Sequence, residues 1–423
     1  MSIIIDGNSG ISSAGGTPIV NTNTNPSSLG TVTSVTSIGN VSVTGVGSGI
    51  AYPDASLQTT VGYTGFRNRI INGNMVIDQR YAGTATANTI SGYTVDRWNV
   101  SQTTTGKLVA QQNAASVTPP PGFTNYLGVT SQSAYAMTTS DCYNIYQWIE
   151  GYNINDLAYG TANARAITVS FWVYTSLIGV YSWRLVGANN GGGYYSYVST
   201  FTVSVANTWQ FYSFTVPGST AGQWFTNNSN GIAFQITLAN NTSSIITSSL
   251  NQWISGNFQV ASTQTGNIVA TNGATFYLTG VQMERGSTAT PFEFRQFGTE
   301  LALCQRYFET SFPIGTAPAN SSASASNYNG TELSSVGLYV AVCLKVSKRA
   351  TPSVVIYSGN NAASPTANQL QFYNNAGSGW TNTTGATAAA TNDNSFYVSA
   401  TTSGTTAGYS YFTTFGWTAS AEL

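Results

Sequence analysis

Side chains able to do chemistry are scarce in this chain, and their types decide most of what it can do. No His occurs among its 423 residues, so Ser-His-Asp and Cys-His nucleophile systems, imidazole bases and His-ligated zinc or iron are excluded. Cleavage of a polysaccharide would need two carboxylates about 5 to 9.5 Å apart. Asp141, Glu150 and Asp156 are the only acidic cluster outside two charge-rich stretches, and no long solenoid repeat accompanies them. The expectation is no catalytic residue and no enzyme, with a polysaccharide depolymerase as the less favoured alternative. A D-x-D-x-D-G calcium loop is absent; scattered Asp, Asn and carbonyl oxygens leave a structural calcium open, and no cofactor is expected. Cys142, Cys304 and Cys343 are odd in number and far apart, and read as buried small hydrophobes.

Aromatic and amide side chains are abundant by contrast, with 25 Tyr, 19 Phe and 9 Trp. A sugar offers an apolar C–H face rimmed by hydroxyls, so an exposed ring beside amides and hydroxyls suits it. Tyr181, Trp183, Tyr194, Tyr195 and Tyr197 flank the turn Gly191-Gly192-Gly193, and Trp224 and Phe225 sit in an Asn-rich stretch. Tyr373, Trp380, Tyr409, Tyr411 and Trp417 make a second set near the C-terminus. The glycan-binding candidates are Trp183, Tyr194, Tyr195, Tyr197, Trp224, Tyr373 and Trp380. The plainer reading of each ring is a core or subunit contact. A sugar covering roughly 100 Å² of one ring would gain roughly 2.5 kcal/mol, short of the roughly 4 kcal/mol of millimolar affinity. One platform binds weakly, whereas three linked copies could raise avidity by about 10² to 10⁴.

The elements that must position these residues are strands. In residues 166–174, Ile167, Val169, Phe171 and Val173 face one way and Thr168, Ser170, Trp172 and Tyr174 the other. The same alternation runs through Phe201, Val203 and Val205, through Tyr212, Phe214 and Val216, and through Ile232, Phe234, Ile236 and Leu238. Near Gly280 the apolar phase shifts, which a bulge would explain. Leu338, Val340, Val342, Leu344 and Val346 predict another strand. One helix is expected over Gly298 to Thr310, capped by Thr299, with Leu301, Cys304, Tyr307 and Phe308 on one face. Residues 1–65 are low-complexity, with apolar residues at every third position from Val32 to Val41, and read as an extended attachment or shaft segment. The expected organisation is all-β: this segment, a β-sandwich over 66–297, a connecting helix over 298–310 and a smaller β domain over 311–423.

Charge makes up 6% of the chain, 13 Lys/Arg against 14 Asp/Glu, whereas a soluble domain averages about 25%. The net charge of −1 leaves no footprint for nucleic acid or an anionic membrane. A hydrophobic share of 41% is too high for a solvated coil, so the chain must fold. Met1 to Gly10 lacks a basic n-region, and no later run approaches 18 apolar residues; assembly in the cytoplasm and no membrane insertion are expected. Of the 27 charges, 13 lie in residues 67–97 and 284–309. Arg67, Arg69, Asp78, Arg80, Asp96 and Arg97 form the first block, and Glu284, Arg285, Glu293, Arg295, Glu300, Arg306 and Glu309 the second. The first holds four Arg against two Asp and the second three Arg against four Glu, so together they nearly balance sign, which suits interlocking Arg–carboxylate pairs where first and last strands or subunits meet.

The two blocks also carry a resemblance. Arg67-Asn68-Arg69-Ile70-Ile71-Asn72-Gly73-Asn74-Met75, then Ile77-Asp78-Gln79-Arg80 and Tyr93-Thr94-Val95-Asp96-Arg97-Trp98, resemble the opening of a module common in tail-fibre and related virion proteins of tailed bacteriophages. Gln147-Trp148-Ile149-Glu150-Gly151, Val169-Ser170-Phe171-Trp172-Val173, Gly280-Val281-Gln282-Met283-Glu284 and Gly298-Thr299-Glu300-Leu301 continue it over residues 66–310. The strands after Ala166 and at Gly280 are also similar to those of jelly-roll carbohydrate-binding modules. Residues 49–60 resemble a segment preceding the module in cyanobacterial phage fibres, and Trp417 to Leu423 the usual end of such chains.

The resemblance implies a virion fibre that is a homotrimer, anchored to other virion proteins by its N-terminal segment. It would present its β domains to host surface polysaccharide or lipopolysaccharide. Whether such a fibre sits on tail or head, and which glycan it meets, are left open. The alternative is a purely structural head fibre, decoration or adaptor protein of the virion.

Overall fold

A computed structural model describes residues 66–423 apart from 88, 189–190, 335–336, 362–365, 375–378, 391 and 404, together with five short strands within 1–65. Those five lie in a separate unit: Ile3–Asp6, Gly10–Ser13 and Pro18–Val20 form one antiparallel sheet, and Ile50–Ala51 pairs with Leu57–Gln58. The every-third-residue pattern from Val32 to Val41 lies outside the described residues.

Residues 66–423 build their first core from the strands whose alternation was visible. A seven-stranded sheet runs in the order Trp253–Ser255, Tyr194–Val203, Gly179–Ala188, Asn230–Asn240, Cys142–Glu150, Asn99–Gln102, Gly92–Tyr93. A five-stranded sheet, Gln210–Val216, Ile167–Thr175, Thr275–Arg285, Leu127–Ser131, Leu108–Gln112, faces it. The chain crosses between sheets after Glu150, Thr175, Val203 and Val216, as a jelly-roll sandwich requires. Ile167, Val169, Phe171 and Val173 are fully buried, and the Phe171 ring meets Phe201 and Phe234 at 5.4 Å each. Val205 departs from the expected strand: it lies beyond Val203 and is exposed.

The bulge expected at Gly280 is present. Ser170 pairs with Gln282 while Trp172 pairs with Thr279, so Phe171 stands opposite two residues, and Gly280 takes φ +61°. A Cβ there would sit 2.7 Å from the Phe123 ring and 2.9 Å from Trp172. Gly280→Ala is therefore expected to cost about 2–4 kcal/mol, from the left-handed backbone plus overpacking. Equilibrium urea denaturation measures it, and an unshifted midpoint contradicts it.

The second core lies under a nine-stranded sheet organised on the long last strand, Ser410–Ser420. Ser326–Ser334, Gln371–Asn374, Phe308–Thr310 and Ser353–Ser358 all pair with it. Leu338, Val340 and Val342 point inward, but the strand ends at Cys343 rather than Val346. Being out of phase with those residues, Cys343 is exposed, and Cys142 is half-buried; only Cys304 is the buried hydrophobe expected of all three. The helix is also shorter than expected, Phe297–Gln305, with Gln296 rather than Thr299 at its cap. Residues 308–310 leave it because Glu309 is drawn into the sheet, accepting from the Lys345 N–H at 2.9 Å and from Lys348 Nζ at 2.6 Å.

The charged blocks hold the sandwich together, though not chiefly by pairing with each other. Second-block side chains bind first-block backbone: Glu293 accepts from the Arg67 and Asn68 N–H groups at 2.9 and 3.0 Å, Glu300 accepts from Asn72 N–H, and Arg295 donates to the Asn68 and Ile70 carbonyls. Arg295 pairs within its own block, with Glu293 and Glu300. Arg69 and Arg285 share Asp156, at 2.6 and 3.9 Å. Arg80 and Arg97 reach Glu422, almost at the end of the chain. Asp78, Asp96 and Glu284 were expected in ion pairs and instead accept from neutral donors. Asp78 caps a turn through Tyr81 and Gly83 N–H, Glu284 takes Thr290, and Asp96 takes the Gln79 backbone and side-chain amides at 2.6 and 2.9 Å. For Asp78 the reason is local: a short acidic side chain reaches backbone N–H groups three and five residues on, and such bonds outcompete distant partners.

Burial of Asp96 pushes its carboxyl up to about 7, against the opposing pull of Arg80 and the Gln79 amides. The folded state thus holds this proton more tightly than the unfolded chain, where the value is 3.8. Its stabilising contribution is full below that lower value and is lost as pH rises through about 7. Melting curves from pH 4 to 8 should show a fall in stability that Asp96→Asn removes; parallel profiles contradict it.

Candidate functional site

The outer face of the seven-stranded sheet carries a groove of about 210 Å³ built by strand register. Along Cys142–Glu150 the pleat sends Tyr143, Ile145 and Ile149 into the core and turns Asn144, Tyr146 and Trp148 outward. Antiparallel pairing then sets three rungs across the sheet. Ser101, Asn144, Thr237 and Ser182 form one; Asn99, Tyr146, Gln235 and Arg184 the next; Trp148, Ala233 and Val186 the third. The small Ala233 leaves a hollow beside the half-buried Trp148 ring, and Tyr146 stands two residues away, about 7 Å along the strand.

Its floor is a locked amide network. Gln235 Nε2 donates to Asn144 Oδ1 at 2.9 Å and to Gln259 Oε1 at 3.0 Å, and the Thr237 hydroxyl donates to Asn144 Oδ1 at 2.9 Å. Arg184 Nε and Nη2 donate to Gln235 Oε1 at 3.1 and 2.8 Å, and Nη1 donates to Asn257 Oδ1 at 2.7 Å and the Phe258 carbonyl at 3.0 Å. Burial pulls the Arg184 guanidinium down to about 9. Two rings beside fixed amides and one buried cation can stack on a sugar face and bond its hydroxyls.

The rings singled out from sequence fare differently. Trp183 and Tyr197 are 0% and 5% exposed and belong to the core, because residues 181, 183, 185, 195, 197 and 201 share the inward phase of their two paired strands. Trp224 is buried as well, packed over Gly187 and edge-on to Tyr159 at 4.9 Å. These three cannot offer a face to a sugar. Tyr195 is half-buried against the same core. Tyr194 falls on the outer face, 39% exposed and close enough to Arg184 to influence its charge. Tyr373 and Trp380 are a cross-strand pair at 5.8 Å on the C-terminal sheet, extended by Phe412 at 5.8 Å from Trp380, and form a second exposed platform. Trp417, 3% exposed, is core.

Tyr146 and Trp148 were missed as binding residues, although the alternation of Tyr143, Ile145 and Ile149 around them marks their outward phase. Two other hollows each offer fewer of these features. One of about 280 Å³ is walled by Phe123, Trp172, Phe211, Phe292 and Phe294, with few groups to meet hydroxyls. Another of about 590 Å³ on the C-terminal sheet has Gly, Ala, Ser and Thr residues and Asn368 around the single ring of Tyr339.

Within the acidic cluster, Asp141 and Glu150 are too far apart to act as a catalytic pair. Asp141 precedes and Glu150 ends one nine-residue strand, roughly 30 Å apart. Asp141 accepts from Thr104, Tyr135 and Thr138, Glu150 from Arg306 and Tyr307, and Asp156 pairs with Arg69.

No family model matches the chain, and no curated protein matches it. Among solved structures it is similar to the enzymatically active domain of tailspike protein 4 of bacteriophage CBA120, at 13% identity and TM-score 0.27, over 51% of this chain but only 23% of that one. It is likewise similar to a family 11 carbohydrate-binding module of Clostridium thermocellum in complex with a β-1,3-1,4-mixed-linked tetrasaccharide, at 13% identity and TM-score 0.26, over 48% of this chain and 95% of that one. The module TmCBM61 in complex with β-1,4-galactotriose stands at 11% identity and TM-score 0.26, over 52% of this chain and all of that one.

Proposed function

We propose that the chain is a virion fibre protein of a tailed bacteriophage that attaches to its host by non-catalytic binding of surface polysaccharide or lipopolysaccharide. The fibre part of this reading rests on the motifs of residues 66–310, and the glycan part on the groove. A homotrimer anchored through residues 1–65 would present three grooves, which multiplies weak single-site affinity by about 10² to 10⁴. The observation that carries the glycan reading is the union, on one sheet face, of the Trp148 and Tyr146 rings with amides already fixed by Gln235, Asn144 and Gln259. Such preorganised polar groups lose little entropy on meeting sugar hydroxyls.

The test is binding of the purified protein to intact host cells and to polysaccharide extracted from them, with chromatography of the supernatant. Saturable binding without released oligosaccharide is the expected result. Oligosaccharide release overturns the non-catalytic reading, and absence of binding favours a purely structural virion role.

A further inference from the structure

Three cations of the described residues are buried, and they are not alike. Arg97 faces Glu422 and Lys348 faces Glu309, whereas Arg184, 6% exposed, has only neutral amide and carbonyl oxygens as partners. A buried charge without a counter-charge is costly, and a fold retains one where something else compensates it. Arg184 also borders the groove, whose lining contains this one formal charge and no acid. The whole chain is slightly acidic, at −1, so any attraction for anions must be local.

We infer that the groove selects a glycan bearing an anionic substituent, whose negative charge meets the Arg184 guanidinium while the sugar ring lies against Trp148. This rests on the glycan-binding reading of the same groove. Four of the five N–H groups of Arg184 are already given to Gln235, Asn257 and the Phe258 carbonyl, which leaves one Nη2 hydrogen for a single oxygen of a uronic-acid carboxylate or a sulfate ester, with the charge of the guanidinium supplying the rest of the attraction.

The experiment measures binding of the full chain to polygalacturonate, to the same polymer after methyl esterification, to dextran sulfate and to dextran, at low and high salt. The acidic polymer should bind at least tenfold more tightly than its neutral counterpart, with the margin shrinking in salt. The two acidic arms tell carboxylate from sulfate recognition. This comparison needs no variant, so it stands even if a change at buried Arg184 disturbs folding. Where melting shows a folded protein, Arg184→Gln should erase the acid preference and Arg184→Lys retain part of it. Equal affinity for acid and neutral forms, with Trp148→Ala still abolishing binding, overturns the inference and leaves the glycan reading standing. Binding indifferent to Trp148→Ala, or none to any polymer, overturns the inference together with the groove as the site.

Discussion

Replacing Glu422 by alanine should destabilise residues 66–423 by about 3–5 kcal/mol. Glu422 accepts from Arg80 Nη2 at 2.7 Å and from Arg97 Nη1, and its own side chain is 7% exposed. Arg97 is 1% exposed and lies with its guanidinium 3.5 Å from the centre of the Tyr307 ring. Without the carboxylate it would keep a cation–π contact and one bond to the Trp148 carbonyl, too little to balance a desolvated charge. Glu422→Gln keeps the shape and loses the charge, so it should fall between wild type and Glu422→Ala. Urea denaturation of the three proteins measures the series. A Glu422→Ala midpoint equal to wild type would show that Arg80 and Arg97 find compensation elsewhere.

Trp148→Ala should weaken glycan binding by roughly thirtyfold per site, because a sugar stacked on about 80 Å² of ring forfeits about 2 kcal/mol. In a trimer the loss in avidity would exceed this figure. Stability should change little, since the ring is half-buried on the outer face and belongs to neither core. Trp183→Ala is the counterpart: its ring is fully buried beside Phe214 at 4.8 Å, so its loss should cost about 3–5 kcal/mol of stability. Binding isotherms beside melting curves separate the two. Trp148→Ala binding as well as wild type would remove the groove as the site, whatever the chain binds.

The contrast between these tryptophans shows what could be read beforehand. Trp183 was a candidate because it precedes a glycine-rich turn, yet Tyr181, Trp183 and Leu185 already alternate with Ser182 and Arg184, and that phase puts the ring inside. The same reasoning turns Trp148 outward from Ile145 and Ile149. Proximity to a loop was a weaker guide than strand phase. The bulge at Gly280 and the structural weight of the two charged stretches were legible for the same reason: each leaves a local mark, a shifted phase or a concentration of rare residues.

What sequence determined alone was therefore local: all-β architecture, the alternation of each strand, the bulge, and the exclusion of imidazole chemistry by the absence of His. Tertiary structure alone decided what depends on register between distant strands. Tyr146 meets Gln235 and Gln235 meets Arg184 only because three strands pair in one register. Glu422 meets Arg80 and Arg97 across more than 300 residues of chain. The pleat of a strand fixes which way a side chain points from its immediate neighbours, whereas the partner it finds is set by packing of the whole core. A groove with one uncompensated cation is a property of that packing, and no stretch of the chain carries it.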